Sequence, residues 1–224
     1  MPKIFLDYGH GGNDSGAICD GYLEKDFNLK IGKRIKYHLE RHKFTVIESR
    51  EGDTNPSLRE RSNKANANKV DISVSIHVNA YTDSNAQGFE IFHYLGSNRG
   101  KQLASCVQKS VISAKLYTKN RGLKTNSLHM TREVAAPAIL VEMGFITNKA
   151  DRDIIINKSE EMAKAITKGI LSFYDMSYKN DNKSNTTSDK LYRVQVGAFR
   201  ERTNAEKLAN ELKSKGYSTY ITDK

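Results

Sequence analysis

Residues 3–12 read KIFLDYGHGG, and this stretch decides how the rest of the sequence is interpreted. Residues 3–7 form a short apolar run, which is typical of a buried β-strand. The glycine-rich GHGG turn that follows predicts a loop at the end of that strand. His10 therefore stands just past the carboxyl end of a predicted strand.

The same alternation of strand and helix signals continues through the first 175 residues. Further strands are predicted at residues 45–49, 71–77, 88–94 and 138–142. Helices are predicted at residues 27–39, 57–67, 100–114 and 160–174, and Ser57 with Glu60 forms a capping-box pattern. Most of these strands are apolar on both faces. The pattern predicts an α/β fold: a largely parallel, twisted sheet with helices on both faces.

Candidate reactive side chains follow the predicted strands, since ligands of such sheets bind at the carboxyl ends of the strands. His10, His77 and Glu142 stand at such ends, and Glu24 in YLEKDF is the fourth candidate. Two histidines and one glutamate, with a water in the fourth position, form a known catalytic zinc set. Glu142 ends an apolar run, where an ionised carboxylate is costly without a partner, and it suits proton transfer. The sequence thus indicates a metal-dependent hydrolase.

Each of these residues also has an ordinary explanation when taken alone. A histidine in a turn or at a strand end is often structural, and Glu24 is a common type of first-turn helix carboxylate. His38 and His42 lie four residues apart on one predicted helix, which is compatible with metal binding. Basic neighbours favour a solvated basic face for that pair instead.

Composition limits the remaining classes of function. The 224 residues contain 36 lysines and arginines against 26 acidic residues, a net charge of +10, which favours an anionic polymer as partner. No apolar run is long enough for a membrane span. The amino terminus has no basic and apolar pattern of a secretory signal. Cys19 and Cys106 are far apart and are predicted to be unpaired thiols.

The carboxyl-terminal part differs in character. We expect a catalytic domain over residues 1–175, a polar, flexible linker over residues 176–189 and a small β-α-β unit over residues 190–224. Thr203 is predicted to cap the helix of this unit, and Gly216 to end it. A unit of this size rarely folds alone, so it should need a partner.

Four motifs occur in order: KIFLDYGHGGNDSGA, YLEKDFNLKI, SLRERSNKANANKVDISVSIHVNA and APAILVEMGFITNKAD. Together they make residues 2–175 resemble the zinc-dependent N-acetylmuramoyl-L-alanine amidases of the Amidase_3 family. The resemblance implies three Zn²⁺ ligands, which are His10, Glu24 and His77, and a catalytic base, which is Glu142. It implies site-shaping, substrate-binding roles for Asn79 and Arg61. Tyr8 stands where the family usually has proline. Loss of the proline, which would fix the backbone angle φ of the turn, is expected to loosen the loop.

Residues 190–222 resemble half of a sporulation-related (SPOR) peptidoglycan-binding module, whose opening is similar to YRVQVGAF. The combination is similar to sporulation autolysins that lyse the mother cell and to phage endolysins. It implies hydrolysis of the amide between N-acetylmuramic acid and L-alanine, with peptidoglycan as the partner. Either a homodimer completes the half module, with each of two chains supplying one half, or the chain is a truncated product.

Two other functions remain open from the sequence. They are a wall-binding protein without activity and a nucleic-acid-binding protein, although no nucleic-acid reader motif is present. We expect no nucleic-acid partner and no membrane insertion. Without an export signal, the enzyme is expected to be made in the cytoplasm and to reach the wall by lysis, through a holin or by a non-standard route. Phage and host origins are both compatible with the sequence.

Overall fold

The computed structural model describes residues 1–180, 195–217 and 219–222. Its contacts divide the chain into two compact units, Met1–Asn180 and Asp181–Lys224. No helix within the described ranges is long and apolar enough to cross a lipid bilayer. Both cysteines are free thiols, as predicted.

Strands and helices alternate through the first unit. Its strands are β1 (Lys3–Tyr8), β2 (Ile18–Cys19), β3 (Tyr22–Leu23), β4 (Thr45–Glu48), β5 (Ile72–Asn79), β6 (Phe89–His93), β7 (Asn120–Thr125) and β8 (Ala138–Phe145). Its helices are α1 (Glu24–Arg41), α2 (Leu58–Ala67), α3 (Asn98–Ser113), α4 (His129–Glu133), α5 (Lys149–Asn157) and α6 (Ser159–Phe173). All the strands and helices predicted here are present, with ends that differ by a few residues. The sequence did not predict β2, β3, β7, α4 or α5.

Six strands of the described residues form one sheet, in the order β4–β1–β5–β8–β6–β7. β1 pairs in parallel with β4 and β5, and β5 pairs in parallel with β8. β6 runs antiparallel to β8, and β7 pairs in parallel with β6. The predicted largely parallel sheet is confirmed. Because β6 is reversed, its amino-terminal end lies at the same edge of the sheet as the carboxyl ends of β1, β5 and β8.

The two faces of the sheet are covered by different helices, because alternate residues of a strand point to opposite sides. Ile4 and Leu6 belong to the larger core, which includes α1, α3 and α6. Phe5 belongs to a smaller core with residues of α2 and α4. The predicted helices on both faces are confirmed. By the same alternation, His77 and Glu142 lie on the face of α2 and α4.

The start of α2 is fixed by the capping box that the sequence predicts. The backbone N–H of Glu60 donates to Ser57 Oγ at 3.3 Å, and that of Ser57 donates to Glu60 Oε2 at 2.7 Å. These reciprocal bonds satisfy backbone donors that a helix start otherwise leaves unpaired. They set the position of Arg61 one residue further along the helix.

The prediction of a solvated face at His38 and His42 is wrong, because both side chains are buried. His38 Nε2 lies 3.0 Å from Glu160 Oε1 on α6, and the hydroxyl of Tyr178 lies 2.9 Å from His38 Nδ1. His42 Nε2 accepts a hydrogen bond from the backbone N–H of Lys179 at 2.8 Å. The two imidazoles therefore bind α6 and the end of the first unit.

These contacts also change the interpretation of the linker. Residues 176–180 were predicted to belong to it, but they pack on α1 as part of the first unit. The ring of Tyr178 packs against His42 on α1. The polar composition of the segment predicted a linker because it gave no weight to this one aromatic residue. Residues 181–189 of the predicted linker lie outside the described residues.

The second unit contains α7 (Arg202–Ser214). The prediction of Thr203 as its N-cap is wrong, because the N-cap is Glu201, two residues earlier, and Thr203 is the second residue of the helix. Arg202 Nε donates to Glu206 Oε1 at 2.9 Å, so the carboxylate needed for a capping box at Thr203 is engaged elsewhere. Gly216 follows the helix with φ 86°, the left-handed conformation expected of a terminating glycine.

The two strands predicted around α7 are absent from the described residues of this unit. Residues 195–199, 217 and 219–222 have no strand, while residues 191–194 and 218 lie outside the described ranges. None of the residues of α7 is buried. The prediction is wrong for the described segments because short strands need neighbouring strands and an apolar surface to pack on.

Candidate metal centre and active site

Three side chains converge at the carboxyl edge of the sheet. Each of His10, Glu24 and His77 offers one ligand atom, and these atoms lie within 4.8 Å of one another. His10 Nε2 is 3.2 Å from Glu24 Oε2, and His77 Nδ1 is 2.9 Å from Glu24 Oε1. The structure thus brings together all three residues that the resemblance implies as metal ligands. Among the described residues, no other set of three His, Cys, Asp or Glu side chains converges in this way.

Two glycines make room for this convergence. A Cβ atom at Gly9 would lie 2.2 Å from the ring of His77, and one at Gly16 would lie 2.6 Å from Glu24 Oε2. His10 itself has φ 61°, a left-handed conformation that is uncommon for a residue other than glycine. Such conformations cluster at functional sites, where the surrounding structure maintains them.

Partners outside the triad orient its ligand atoms. His10 Nδ1 lies 2.8 Å from Asp14 Oδ2, which leaves Nε2 directed toward Glu24. Glu24 accepts hydrogen bonds from the backbone N–H groups of Ala17 at 3.0 Å and Val78 at 3.1 Å. Carboxylate partners of this kind fix the tautomer and ring orientation of metal-binding histidines. The geometry therefore includes both the ligands and their supports.

The electrostatics of the triad suit a cation. Burial alone would raise the pKa of Glu24, but the hydrogen bonds from His10 and His77 outweigh it and lower the pKa. The hydrogen bond to Glu24 raises the pKa of His10 to about 9. The negative charge of this buried carboxylate is balanced here by two imidazoles, and a bound metal ion would also balance it. Two imidazoles and a carboxylate fit the donor set of a catalytic zinc site with an open position.

Glu142 lies beside the triad, on the strand next to His77. The two residues are Cα partners in the pairing of β5 with β8. Among the described residues, the buried Oε2 atom of Glu142 has no hydrogen-bond partner. Burial, reinforced by the charges of Glu24 and Glu90, raises the pKa of Glu142 well above its usual range. An unpartnered carboxyl group in this position can exchange a proton with a bound substrate or water.

Asn79 is at the end of β5, where it contacts a residue that sequence reasoning missed. Asn79 Nδ2 donates to Glu90 Oε1 at 2.8 Å. Glu90 is 2% exposed and is the Cα partner of Glu142 across β6 and β8. The available signal was the one acidic residue of the strand FEIFH, which has three large apolar side chains.

Arg61 lies beneath the loop that carries His10 rather than in the open site. Its guanidinium donates to Asp7 Oδ1 at 2.8 Å and to the carbonyl oxygens of Tyr8 at 2.6 Å and His10 at 2.9 Å. With 3% exposure, Arg61 has little surface for direct contact with a substrate. Its placement fits a site-shaping role.

A second buried arginine, Arg50, supports the same loop and was not predicted. It donates to the carbonyl oxygens of Tyr8 at 3.0 Å, Gly9 at 3.3 Å and Lys25 at 2.8 Å. Arg50 follows β4 at the carboxyl edge of the sheet. Arg50 could have been found from the sequence because, like His10, it follows the carboxyl end of a predicted strand.

The expected loosening of the loop at Tyr8 is wrong. Tyr8 is fully buried, its backbone N–H donates to Ser49 Oγ at 3.0 Å, and its hydroxyl donates to Glu48 Oε1 at 3.1 Å. Its ring lies so close to α1 that a Cβ at Gly32 would be 2.2 Å from it. The side chain thus anchors the end of β1 by packing and hydrogen bonding.

An α/β sheet with two histidines and a glutamate converging beside an unpartnered glutamate fits the arrangement of a metal-dependent hydrolase. The chain belongs to the N-acetylmuramoyl-L-alanine amidase family, whose profile matches residues 4–172. The predicted enzyme class is confirmed: the reaction is hydrolysis of the amide bond between N-acetylmuramic acid and L-alanine in peptidoglycan. The SPOR domain profile matches residues 188–224, as the sequence predicted.

Relatives and solved structures agree with this assignment. The chain is 34% identical over 225 residues to the sporulation-specific N-acetylmuramoyl-L-alanine amidase of Bacillus subtilis (strain 168), covering 99% of this chain and 84% of that protein. It is 34% identical over 197 residues to an endolysin of Bacillus phage SPP1, covering 84% and 71%. The structure of an N-acetylmuramoyl-L-alanine amidase from Clostridium difficile 630 is similar, with a TM-score of 0.74, 35% identity and coverage of 78% and 97%.

Proposed function

We propose that His10, Glu24 and His77 hold one Zn²⁺ ion and that Glu142 transfers the proton in the amidase reaction. The observation that carries the proposal is the convergence of the three ligand atoms within 4.8 Å beside the strand that bears Glu142. A zinc ion bound there would polarise the carbonyl of the scissile amide and lower the pKa of a water molecule.

The protein's own part of the reaction is the movement of one proton. Glu142, as a carboxylate, accepts a proton from the attacking water and delivers it to the leaving nitrogen of L-alanine. Burial and the charges of Glu24 and Glu90 raise the pKa of this carboxyl well above its usual range. A cation at the triad favours the ionised form that a base requires.

The supports of the triad keep these groups in place before substrate binds. Asp14 orients His10 from one side, and Arg50 and Arg61 hold the carbonyl oxygens of the loop from beneath. Groups fixed in advance need no reorganisation during the reaction, which is a large part of catalytic efficiency.

The proposal is tested with the Glu142→Gln variant, loaded with zinc and incubated with purified peptidoglycan. Wild-type protein is expected to release stem peptides with a new L-alanine amino terminus, identified by mass. A chelator should abolish release and added zinc should restore it. Glu142→Gln should bind zinc in the wild-type ratio and lose at least about a hundredfold in rate, the size of a general acid–base contribution.

Glu161→Gln is the matched control, because Glu161 is an exposed glutamate on α6. It should retain wild-type turnover and zinc content. Substantial turnover by Glu142→Gln would remove Glu142 from the mechanism. Full zinc content after replacement of His10 and His77 by alanine would remove the triad as the metal site.

We also propose that the carboxyl-terminal unit associates with a second copy of itself. Support comes from its exposed apolar side chains, among them Val196, Phe199 and Tyr217, and from α7, which has no buried residue. Sedimentation of the full chain at increasing concentration should show a dimer. Replacing Phe199 by Ser should weaken it, whereas a monomer at all concentrations would contradict the proposal.

A further inference from the structure

His77, Glu142 and Glu90 form a row of neighbouring side chains across β5, β8 and β6. This row begins at the proposed zinc site and follows one face of the sheet. Val141 and Ile91 point into the larger core, so their neighbours Glu142 and Glu90 point to the opposite face, as His77 does. The row crosses β5, β8 and β6 at the carboxyl edge and leads to β7. The active-site edge therefore includes residues from the reversed strands.

Glu90 lies in this row and pairs with two cations from β7. Its Oε2 atom accepts from Arg121 Nε at 2.6 Å and from Lys124 Nζ at 2.6 Å. Its other oxygen accepts from Asn79. The buried carboxylate of Glu90 therefore pairs with two positive charges from β7.

The two cations have donors to spare. Within the described part of the chain, Arg121 uses only Nε in a hydrogen bond. Among the same residues, Lys124 Nζ has Glu90 as its one hydrogen-bond partner and lies 5.8 Å from the centre of the Phe92 ring. Their side chains are 25% and 37% exposed, so the remaining N–H groups are accessible.

The orientation of the guanidinium is fixed. Arg121 Cζ lies 4.8 Å from the centre of the Phe145 ring, at the end of β8. Glu90 holds the same side chain through Nε. A guanidinium anchored in this way offers its outer N–H groups as a ready fork for a planar anion such as a carboxylate.

The distance from Glu142 suits a group on the stem peptide. β7 is two strands away from β8, and strands in a sheet are about 4.8 Å apart, so the two backbones lie roughly 10 Å apart. The cationic groups reach back from β7 to Glu90 on β6, so they lie nearer to Glu142 than the β7 backbone does. An extended peptide covers about 3.3–3.6 Å per residue. An anion about two residues' length from the scissile amide would reach this point.

We propose that Arg121 and Lys124 bind the free carboxylate of the acidic residue that follows L-alanine in the stem peptide. The proposal rests on the proposed function, because it requires the scissile amide to lie at Glu142. It names a specificity determinant of the amidase: stem peptides with this carboxylate free bind better than those in which it is amidated.

The test uses two soluble glycan–peptide fragments that differ only in this carboxylate, free in one and amidated in the other. The zinc-loaded full chain is compared with its Lys124→Met and Arg121→Gln variants. Wild type should prefer the free carboxylate through a lower KM. Each variant should lose about tenfold or more in kcat/KM on that fragment beyond any loss on the amidated one, as expected for a charge-assisted hydrogen bond.

Lys33→Met is the matched control. Lys33 also pairs with a buried glutamate, Glu48, and its side chain is 38% exposed, but it is on α1. It should affect both fragments equally. Equal losses on the two fragments in Lys124→Met and Arg121→Gln would overturn the proposal and leave these residues as structural partners of Glu90.

Binding of both fragments to zinc-loaded Glu142→Gln protein gives a readout without turnover. Preference for the free carboxylate in that protein, lost on adding Lys124→Met, supports the subsite. If wild type cleaves neither fragment but this preference is present, the proposed function fails and the anion site stands. If cleavage occurs without any preference in rate or binding, the anion site fails and the proposed function stands.

Discussion

Arg61 and Asp7 form an ion pair of 2.8 Å in which both side chains are buried, with 3% and 1% exposure. The same guanidinium reaches the carbonyl oxygens of Tyr8 and His10. One arginine on α2 therefore connects the end of β1 to the backbone of a proposed zinc ligand. Burial of two charges is favourable only when such additional hydrogen bonds satisfy them.

Arg61→Met is expected to lower both stability and zinc affinity. It leaves Asp7 buried without its cation, which costs about 3–5 kcal/mol of unfolding free energy. Loss of the bond to the His10 carbonyl should weaken zinc binding about 10–100-fold, as for other supports of metal ligands. Urea unfolding and competitive zinc titration measure the two effects.

The double variant Asp7→Asn/Arg61→Met separates the effects. Removing the unpaired charge should recover much of the stability, while zinc affinity remains low because the loop is still unsupported. If zinc affinity recovers together with stability, Arg61 acts only through the ion pair and has no separate role in positioning the loop.

The effect of Gly32→Ala on the free energy of unfolding should change sign when Tyr8 is replaced, as a double-mutant cycle would measure. In wild type, Gly32→Ala places a Cβ 2.2 Å from the Tyr8 ring and should cost about 1–3 kcal/mol by overpacking. Tyr8→Pro removes the ring and the N–H that bonds Ser49, and should cost about 3–5 kcal/mol. In the Tyr8→Pro background, Gly32→Ala should instead stabilise by about 1 kcal/mol through helix propensity.

The Tyr8→Phe background is the control for this cycle, because it keeps the ring and removes only the hydroxyl that bonds Glu48. Gly32→Ala should remain destabilising there. Urea unfolding of the six proteins measures the cycle. Additive effects of Tyr8→Pro and Gly32→Ala would show that the ring and the glycine do not interact energetically.

Much of this architecture could be predicted from the sequence, because its main elements have strong local signals. The apolar run before GHGG and the Ser57–Glu60 capping box gave correct elements. The short strand β7 was missed because Asn120–Thr125 is polar and contains Gly122, so its pairing with β6 depends on tertiary contacts. The strands expected around α7 failed for the opposite reason: they have the local pattern but no neighbouring strand in the described residues.

The site residues also divide into those with a local sequence signal and those that depend on tertiary structure. His10, His77 and Glu142 could be found from their places at strand ends, whereas Glu24 required the family resemblance because a first-turn glutamate is common. Glu90 was missed because its function depends on the reversal of β6, which brings it beside Glu142. No local pattern encodes that reversal.

Glu48 should make the stability of the protein depend on pH in the acid range. Burial would raise its pKa, but the hydrogen bonds from Lys33 and Lys36 outweigh this and lower it. Its stabilising contribution is therefore present above the unfolded-state pKa of about 4.3 and is lost as pH falls through the lower folded-state pKa. The free-energy difference between wild type and Glu48→Gln should be largest near pH 7 and shrink toward pH 3.

Glu161→Gln controls for the loss of one exposed carboxylate and should show no such trend in urea unfolding between pH 3 and 7. A constant difference between wild type and Glu48→Gln over that range would show that the lysine pairs add nothing beyond packing. A difference that grows toward acid would contradict the sign of the pKa shift.

Removal of the metal should leave the fold intact, because the triad is held by its own contacts. Glu24 pairs with both histidines and accepts two backbone N–H bonds without any ion. Chelated protein should therefore retain its far-ultraviolet circular dichroism and unfold cooperatively. Zinc at a hundredfold excess over its Kd should add about 2.7 kcal/mol, which raises the Tm by roughly 5–10 °C.

The Glu24→Gln variant distinguishes a metal site from a structural charge cluster. Gln keeps an acceptor oxygen for the backbone but loses the charge that attracts a cation, so zinc should no longer raise its Tm. Asp20→Asn, on the nearby turn outside the triad, should retain the full zinc-dependent rise. If zinc raises the Tm of Glu24→Gln as much as that of wild type, the ion binds elsewhere and the pairs of Glu24 with His10 and His77 are structural.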